Sequence, residues 1–283
     1  MKTIRLPRPL QLILLACLPP LLVQATVVSD RETEPFPGIR ILERELSDPP
    51  RRVFAAFISL SEPTLLVDAT KPTRQAQSVE EWATANRALV AVNGDFYRFS
   101  EGTLHLYGDA VGGGERWPMA QNGLNERFSN DWFYRRYGWI AFGGEGNAVT
   151  FTNTKHVKEN ASRYGGTMGW RAQEVTDEVP PRTRALVSGF SQLVIEGKPV
   201  TCDDPTAANC FPDRGDMRAR HPRTAMGLTE DMQTFILVVV DGRSQQSVGM
   251  YGTELAELMH DLGSWVAFNL DGGGSSQMFV EGR

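Results

Sequence analysis

The sequence is poor in the residues that most often carry metal and nucleophile chemistry. It has four histidines and three cysteines in 283 residues. None of them forms an HxH, HExxH or CxxC pattern, so zinc chemistry is not expected. No GxSxG elbow is present, which argues against an α/β-hydrolase. Positive charge is not in excess either: 29 Lys and Arg stand against 34 Asp and Glu, for a net charge of −5. A nucleic-acid partner is therefore disfavoured, because neutralising phosphates takes clustered Lys and Arg. No repeat of the 20–50-residue solenoid kind occurs. The apolar share of 41% is that of an ordinary globular chain, which excludes wholesale disorder.

What is present begins with an address. Lys2, Arg5 and Arg8 precede the run Leu10–Leu22, and Val23-Gln24-Ala25 supplies a small-residue cleavage site. This pattern predicts a signal peptide over residues 1–25 and export, periplasmic or secreted. Pro19-Pro20 interrupts a run shorter than the ~20 residues a membrane span needs. Leu14-Leu15-Ala16-Cys17 also has the form of a lipobox, so attachment to a membrane is expected only through a lipidated Cys17. Cleavage after Ala25 leaves Cys202 and Cys210, a close even pair that in an exported protein reads as a disulfide.

Residues 26–50 form a polar lead-in strand or arm, and residues 51–283 a single catalytic domain. Arg52–Leu66 alternates and is β-rich; Ala185–Val200 reads as two short strands around Gly189. Ser100–Tyr137, rich in Gly, aromatics and arginine, is expected to be a long functional loop set.

Two segments share a plan. Ser78 and Glu81 make a capping box, followed by a short helix, the strand Ala88–Val92 and Asn93-Gly94-Asp95. Thr253 is the expected cap of a second helix with Leu255, Leu258, Met259 and Leu262 on one face and Gly263 as its stop. The strand Trp265–Phe268 then ends in Asn269-Leu270-Asp271. A third strand, Phe235–Val240, is an unbroken apolar run suited to a central strand, and ends in Asp241-Gly242-Arg243. In one sheet with one orientation, these strands would bring Asp95, Asp241 and Asp271 to a common edge. The expected class is α/β or α+β, with a mixed central β-sheet and helices packed on it.

Asp271-Gly272-Gly273-Gly274-Ser275-Ser276 reads as an anion-binding nest beside an acid, or as a surface turn. Asp241-Gly242-Arg243 offers a guanidinium for phosphate, or a β-turn with an exposed charge pair. His221–Gly227 brings Arg223 and Thr224 nearby; His221, before Pro222, is expected to be a structural hydrogen-bond partner. Such carboxylates serve glycoside cleavage or hold Ca²⁺ or Mg²⁺, and residue types alone do not choose.

Ala91–Tyr97, His221–Gly227, Val239–Arg243 and Asn269–Ser276, in this order, together resemble the phosphodiester glycosidase family. Ser188-Gly189 with Leu193–Lys198 is similar to the family's upstream strand pair, and the likeness runs from Arg52 to Arg283. Asp95 stands where the animal type of the family has glycine. The resemblance implies hydrolysis of a sugar 1-phosphodiester at the anomeric C–O bond, with a carbohydrate phosphodiester as partner and no required cofactor. It implies phosphate binding by Arg223, Arg243 and Gly272–Ser276, with Asp271 facing the anomeric carbon. Asp241 and Asn93 would orient hydroxyls or water, and Asp95 is a reserve base. The alternatives are a phosphodiesterase using a divalent ion, and a glycan-binding module stacking sugars on the aromatics of Trp117–Trp139. Members usually continue past this loop with further strand structure, whereas seven residues follow Ser276. The expectation is a last strand supplied from elsewhere or a shortened member.

Overall fold

The computed structural model describes residues 26–73, 75–100, 103–106, 108–117, 138–143, 146–153, 155–158, 170–173, 179–211 and 215–283. Residues 1–25, expected to be a signal peptide and including Cys17, and residues 118–137 lie outside these. Among the described residues the fold is mostly β, with two α-helices, Val79–Asn86 and Gly252–Asp261. The expected central sheet with packed helices is present in part: the helices are sparse and strands dominate.

The centre is an eight-stranded sheet in the order Thr26–Phe36, Ile39–Ser47, Arg51–Ser59, Thr234–Val240, Arg223–Leu228, Val266–Asn269, Gln192–Ile195, Lys198–Pro199. Each neighbouring pair is antiparallel. The lead-in segment is thus two long strands of this sheet. Thr234–Val240 and Val266–Asn269 still point the same way, because Arg223–Leu228 runs antiparallel between them. The shared orientation expected of these two strands is thus produced by one intervening antiparallel strand.

One face of this sheet carries Val53, Ala225, Ile236, Val238 and Ala267 against Leu255, Ala256 and Met259 of the second helix. The other carries Ile58, Met226, Phe235, Leu237 and Phe268 against Ile140, Phe142 and Ala185 of a five-stranded sheet. Phe142 meets Phe235 edge-on at 4.8 Å between the sheets. Phe235–Val240 is buried on both faces, as its unbroken apolar run predicts. Each such side chain contributes about 2 kcal/mol relative to exposure.

The first helix has the predicted capping box: Ser78 Oγ accepts from Glu81 N, and Glu81 accepts from Ser78 N at 2.9 Å. The second is capped two residues earlier than expected. Its N-cap is Tyr251, whose backbone N–H donates to Glu254 at 3.0 Å. The strand after the first helix is the other departure. Val90–Val92 pairs with Met278–Val280 in a separate two-stranded ladder instead of joining the large sheet. The strands flanking Gly189 divide between the two large sheets. A Cβ on Gly189 would lie 2.7 Å from the Phe268 Cβ, so only glycine allows that approach. The predicted Cys202–Cys210 disulfide is formed. Among the described residues no helix is long and apolar enough to cross a membrane.

Candidate active site

The shared orientation of Thr234–Val240 and Val266–Asn269 delivers Asp241 and Asp271 to one edge. Asn93 arrives there from the separate ladder and acts as a clasp. Its Nδ2 donates to the Asp271 carbonyl at 2.7 Å, and its Oδ1 accepts from Thr224 Oγ1 at 2.7 Å and Gln277 N at 3.2 Å. Asp271 N donates to Gly94 O at 3.1 Å. Asn93-Gly94 and Asp271 therefore meet, although their strands belong to different sheets.

Asp271 Oδ1 accepts from Gly272 N at 2.9 Å. The following glycines close as a 3-10 turn, Gly273–Ser275, in place of an open nest. Gly273 N donates to Pro222 O, Ser275 N to Gly272 O and Ser276 N to Gly273 O. This leaves the exposed Gly274 N–H and the Ser275 hydroxyl without partners among the described residues. Ser276 Oγ is buried and likewise unpartnered there.

Gly273 has φ +65°, and a methyl group on it would come within 3.0 Å of the Arg243 guanidinium. Arg243 thus lies against the turn. It is exposed, makes no hydrogen bond or ion pair among the described residues, and has φ +61°, a conformation that costs a non-glycine residue about 1–2 kcal/mol. Ser247, a residue that sequence reasoning missed, holds the loop. It is fully buried; its Oγ donates to Asp241 O at 2.6 Å and accepts from Arg52 N at 3.0 Å. The spaced pair Ser244 and Ser247, with Ser247 N donating to Ser244 Oγ, was the signal available. The half-buried Asp241 carboxylate has no partner among the described residues.

Other predicted residues have different surroundings. Arg223 is 1% exposed and faces the second helix. Its guanidinium donates to the carbonyls of Met250 (2.9 Å), Asp216 (2.7 Å) and Ala219 (2.7 Å), with the Asp216 carboxylate at 3.4 Å. Alternation along Arg223–Leu228 forces this, since Thr224 and Met226 take the opposite face, and a buried cation without such a cage would be costly. Thr224 is wholly buried on Asn93. Asn269 is also buried, donating to Phe190 O at 3.0 Å and leaving its Oδ1 unpartnered among the described residues. The two Asp95 carboxylate oxygens accept from Phe96 N and Gly108 N, each at 2.7 Å.

His221 is paired through its backbone with Met250, and its Nδ1 is buried without a partner among the described residues. Burial, then the guanidinium groups of Arg223 and Arg243, hold its pKa below the ordinary histidine value. Among the described residues no three His, Cys, Asp or Glu side chains gather to hold a metal ion. Trp117 and Trp139, which bound the expected stacking platform, are core residues at 8% and 2% exposure.

Two curated relatives share parts of this chain. The SPbeta prophage-derived uncharacterized protein YomE of Bacillus subtilis is 41% identical over 91 residues, which are 32% of this chain and 13% of that protein. The N-acetylglucosamine-1-phosphodiester alpha-N-acetylglucosaminidase of Bos taurus is 28% identical over 216 residues, 74% of this chain and 34% of that protein. The chain thus spans only a minor part of either. Among solved structures, the zebrafish N-acetylglucosamine-1-phosphodiester alpha-N-acetylglucosaminidase catalytic domain, auto-inhibited by its pro-peptide, superposes with a TM-score of 0.58 at 18% identity. That superposition covers 91% of this chain and 78% of that one. The "Putative exported protein" of Burkholderia pseudomallei superposes with a TM-score of 0.55 at 18% identity, covering 82% and 69%. These two likenesses concern the fold. Residues 86–283, most of the chain and all of the edge described above, match the phosphodiester glycosidase family, and the protein belongs to it.

Proposed function

We propose that the protein hydrolyses a sugar 1-phosphodiester at the anomeric C–O bond. Water oxygen bonds to C1, the C1–O bond to phosphate breaks, and a phosphomonoester leaves with the free sugar. The observation that carries this reading is the approach of Asp271 and Arg243 to the same glycine turn at one sheet edge. Phosphate is a stable leaving anion, so catalysis needs a cation and donors on the phosphate and a negative group beside the developing oxocarbenium charge. Arg243, the Gly274 N–H and the Ser275 hydroxyl supply the first. Asp271 supplies the second, as nucleophile or electrostatic stabiliser. Asp241, with its carboxylate unspent, orients a sugar hydroxyl or the attacking water. Arg223 and Asn93 act by position: one fixes the segment that precedes the site, the other fixes Asp271.

The disulfide supports a reaction outside the cytoplasm, periplasmic or secreted. Hydrolysis of an N-acetylglucosamine 1-phosphodiester in ¹⁸O-water tests the chemistry, that sugar being the one in the relatives' names. Label in the sugar supports C–O cleavage; label in the phosphate, with inhibition by EDTA, sinks it in favour of a metal phosphodiesterase. Asp271→Asn is expected to cut turnover by at least about 10³ while changing stability by under about 1 kcal/mol. Near-normal turnover would remove Asp271 from the chemistry.

A further inference from the structure

Among the described side chains Tyr97 is the only exposed aromatic, at 46%. A single exposed ring is ordinary by itself, and position gives this one its meaning. Tyr97 opens the hairpin Tyr97–Ser100 and Thr103–Leu106, in which it pairs with Leu106, and Phe99 pairs with Leu104. Paired residues share a face, and so do alternate ones. Tyr97, Leu104 and Leu106 are therefore on one face, and all three line a cavity of about 610 Å³. Asn93, Asp271 and Ser275 line the same cavity.

Two contacts fix where the ring stands. Gly94 O accepts from Asp271 N at 3.1 Å. The chain from Gly94 to Tyr97 spans at most about 11 Å, which keeps the ring beside Asp271. The Asp95 carboxylate accepts from Phe96 N and Gly108 N, each at 2.7 Å. It thus grips the chain just before one hairpin strand and just after the other, and anchors the hairpin at its open end.

The cavity lies on one side of the reacting bond. Asp271 and Ser275 line it, and Arg243 does not. With C1 at Asp271 and the phosphate on Arg243, the sugar faces the cavity and the phosphate stays outside it. A pyranose has an apolar C–H face and a rim of hydroxyls. The face matches the Tyr97 ring with Leu104 and Leu106 beside it. The hydroxyls need hydrogen-bonding partners, and Thr70, Thr73, Gln75 and Gln77 line the cavity too. We infer that Tyr97 is the specificity-determining residue for the sugar: a pyranose lies in this cavity with its C–H face on the Tyr97 ring and C1 at Asp271. This rests on the glycosidase reading above and adds the residue that recognises the sugar.

The test compares the protein with its Tyr97→Ala and Tyr97→Phe variants on the methyl diester of N-acetylglucosamine 1-phosphate. Losing the ring should raise KM about tenfold with kcat nearly unchanged, as for a contact that holds ground state and transition state alike. Tyr97→Phe keeps the ring and should stay within about twofold of the wild type. Both variants should keep the wild-type urea midpoint, because the side chain is exposed. Inhibition shows which side of the bond the ring serves. In Tyr97→Ala the inhibition constant of N-acetylglucosamine should rise about tenfold, and that of methyl phosphate should not move. A rise in both, a rise for methyl phosphate alone, or an unchanged KM overturns the assignment and leaves the glycosidase reading intact. No turnover by the wild type counts against the glycosidase reading, and saturation-transfer NMR then decides Tyr97 separately. The probes are N-acetylglucosamine, glucose, galactose and mannose. At least one should receive saturation at its ring C–H protons from the wild type and from Tyr97→Phe, and lose it with Tyr97→Ala. Binding of none of them, or binding that Tyr97→Ala leaves intact, overturns the assignment.

Discussion

Asn93→Ala removes the clasp that ties two ladders together. The Thr224 hydroxyl is fully buried and would lose its acceptor, a cost of about 1–3 kcal/mol. The bonds to the Asp271 carbonyl and the Gln277 amide are nearer solvent and contribute about 0.5–1.5 kcal/mol each. Together the loss is about 4 kcal/mol, or roughly 8–16 °C in Tm for a domain of this size. Urea titration followed by circular dichroism, with calorimetry as a second probe, reads this directly. Because the same residue sets the Asp271 backbone, turnover should fall by about 10², the cost of a misplacement near 1 Å. Asn93→Asp sharpens the test. It keeps the acceptor for Thr224 and Gln277 but sets an oxygen against the Asp271 carbonyl, so it should impair turnover as much as alanine does. A stability loss under about 1 kcal/mol together with undiminished turnover in Asn93→Ala would refute the clasp.

Three further outcomes are expected. Arg243→Lys should raise KM for a glycosyl phosphodiester about tenfold through loss of paired N–H donors, with stability within about 0.5 kcal/mol because the side chain is exposed and unpartnered; unchanged kcat/KM would remove Arg243 from the phosphate site. Reducing Cys202–Cys210, which closes a loop of sequence separation 8, should lower stability by about 2.5 kcal/mol on the chain-entropy estimate, and identical urea midpoints with and without reductant would contradict it. His221 has a folded-state pKa below its unfolded value, so its contribution is complete above the ordinary histidine value of 6.5 and is lost as pH falls through the depressed folded value. His221→Gln should therefore flatten the fall in urea midpoint on the acid side of 6.5, and an unaltered slope would show that His221 does not drive it.

Local chemistry was the most readable part of the sequence. Ser78 and Glu81 announced their helix because a capping box is complete within four residues. Phe235–Val240 announced a central strand because both its faces are apolar. Tyr251 was missed as a cap because the bond that starts the helix comes from Glu254 reaching back to a backbone N–H, which asks nothing of the Tyr251 side chain. The position of Arg223 was lost for a different reason. A motif names residue types but not faces; alternation with Ala225 and Gly227, two small residues under the second helix, held the missing information. The glycine turn was also over-read. Three glycines permit an open nest, but Pro222 O and the i→i+3 bonds claim most of its amides. That Val90–Val92 pairs outside the large sheet depends on Met278–Val280, a partner far away in sequence that no local pattern specifies.

The sequence separation across the clasp has a consequence for the order of events in the life of the molecule. Asn93 and the Asp271 carbonyl are 178 positions apart, and Asn93 and the Gln277 amide 184. The strand Arg51–Ser59 likewise waits for Thr234–Val240. Contacts this distant are slow to form, because loop-closure entropy is lost before any of them is gained. During synthesis Asn93 and Asp271 stay apart until nearly all of the described chain has emerged. The geometry of the edge is then among the last features to form, and any activity proposed for it waits on the C-terminal strands.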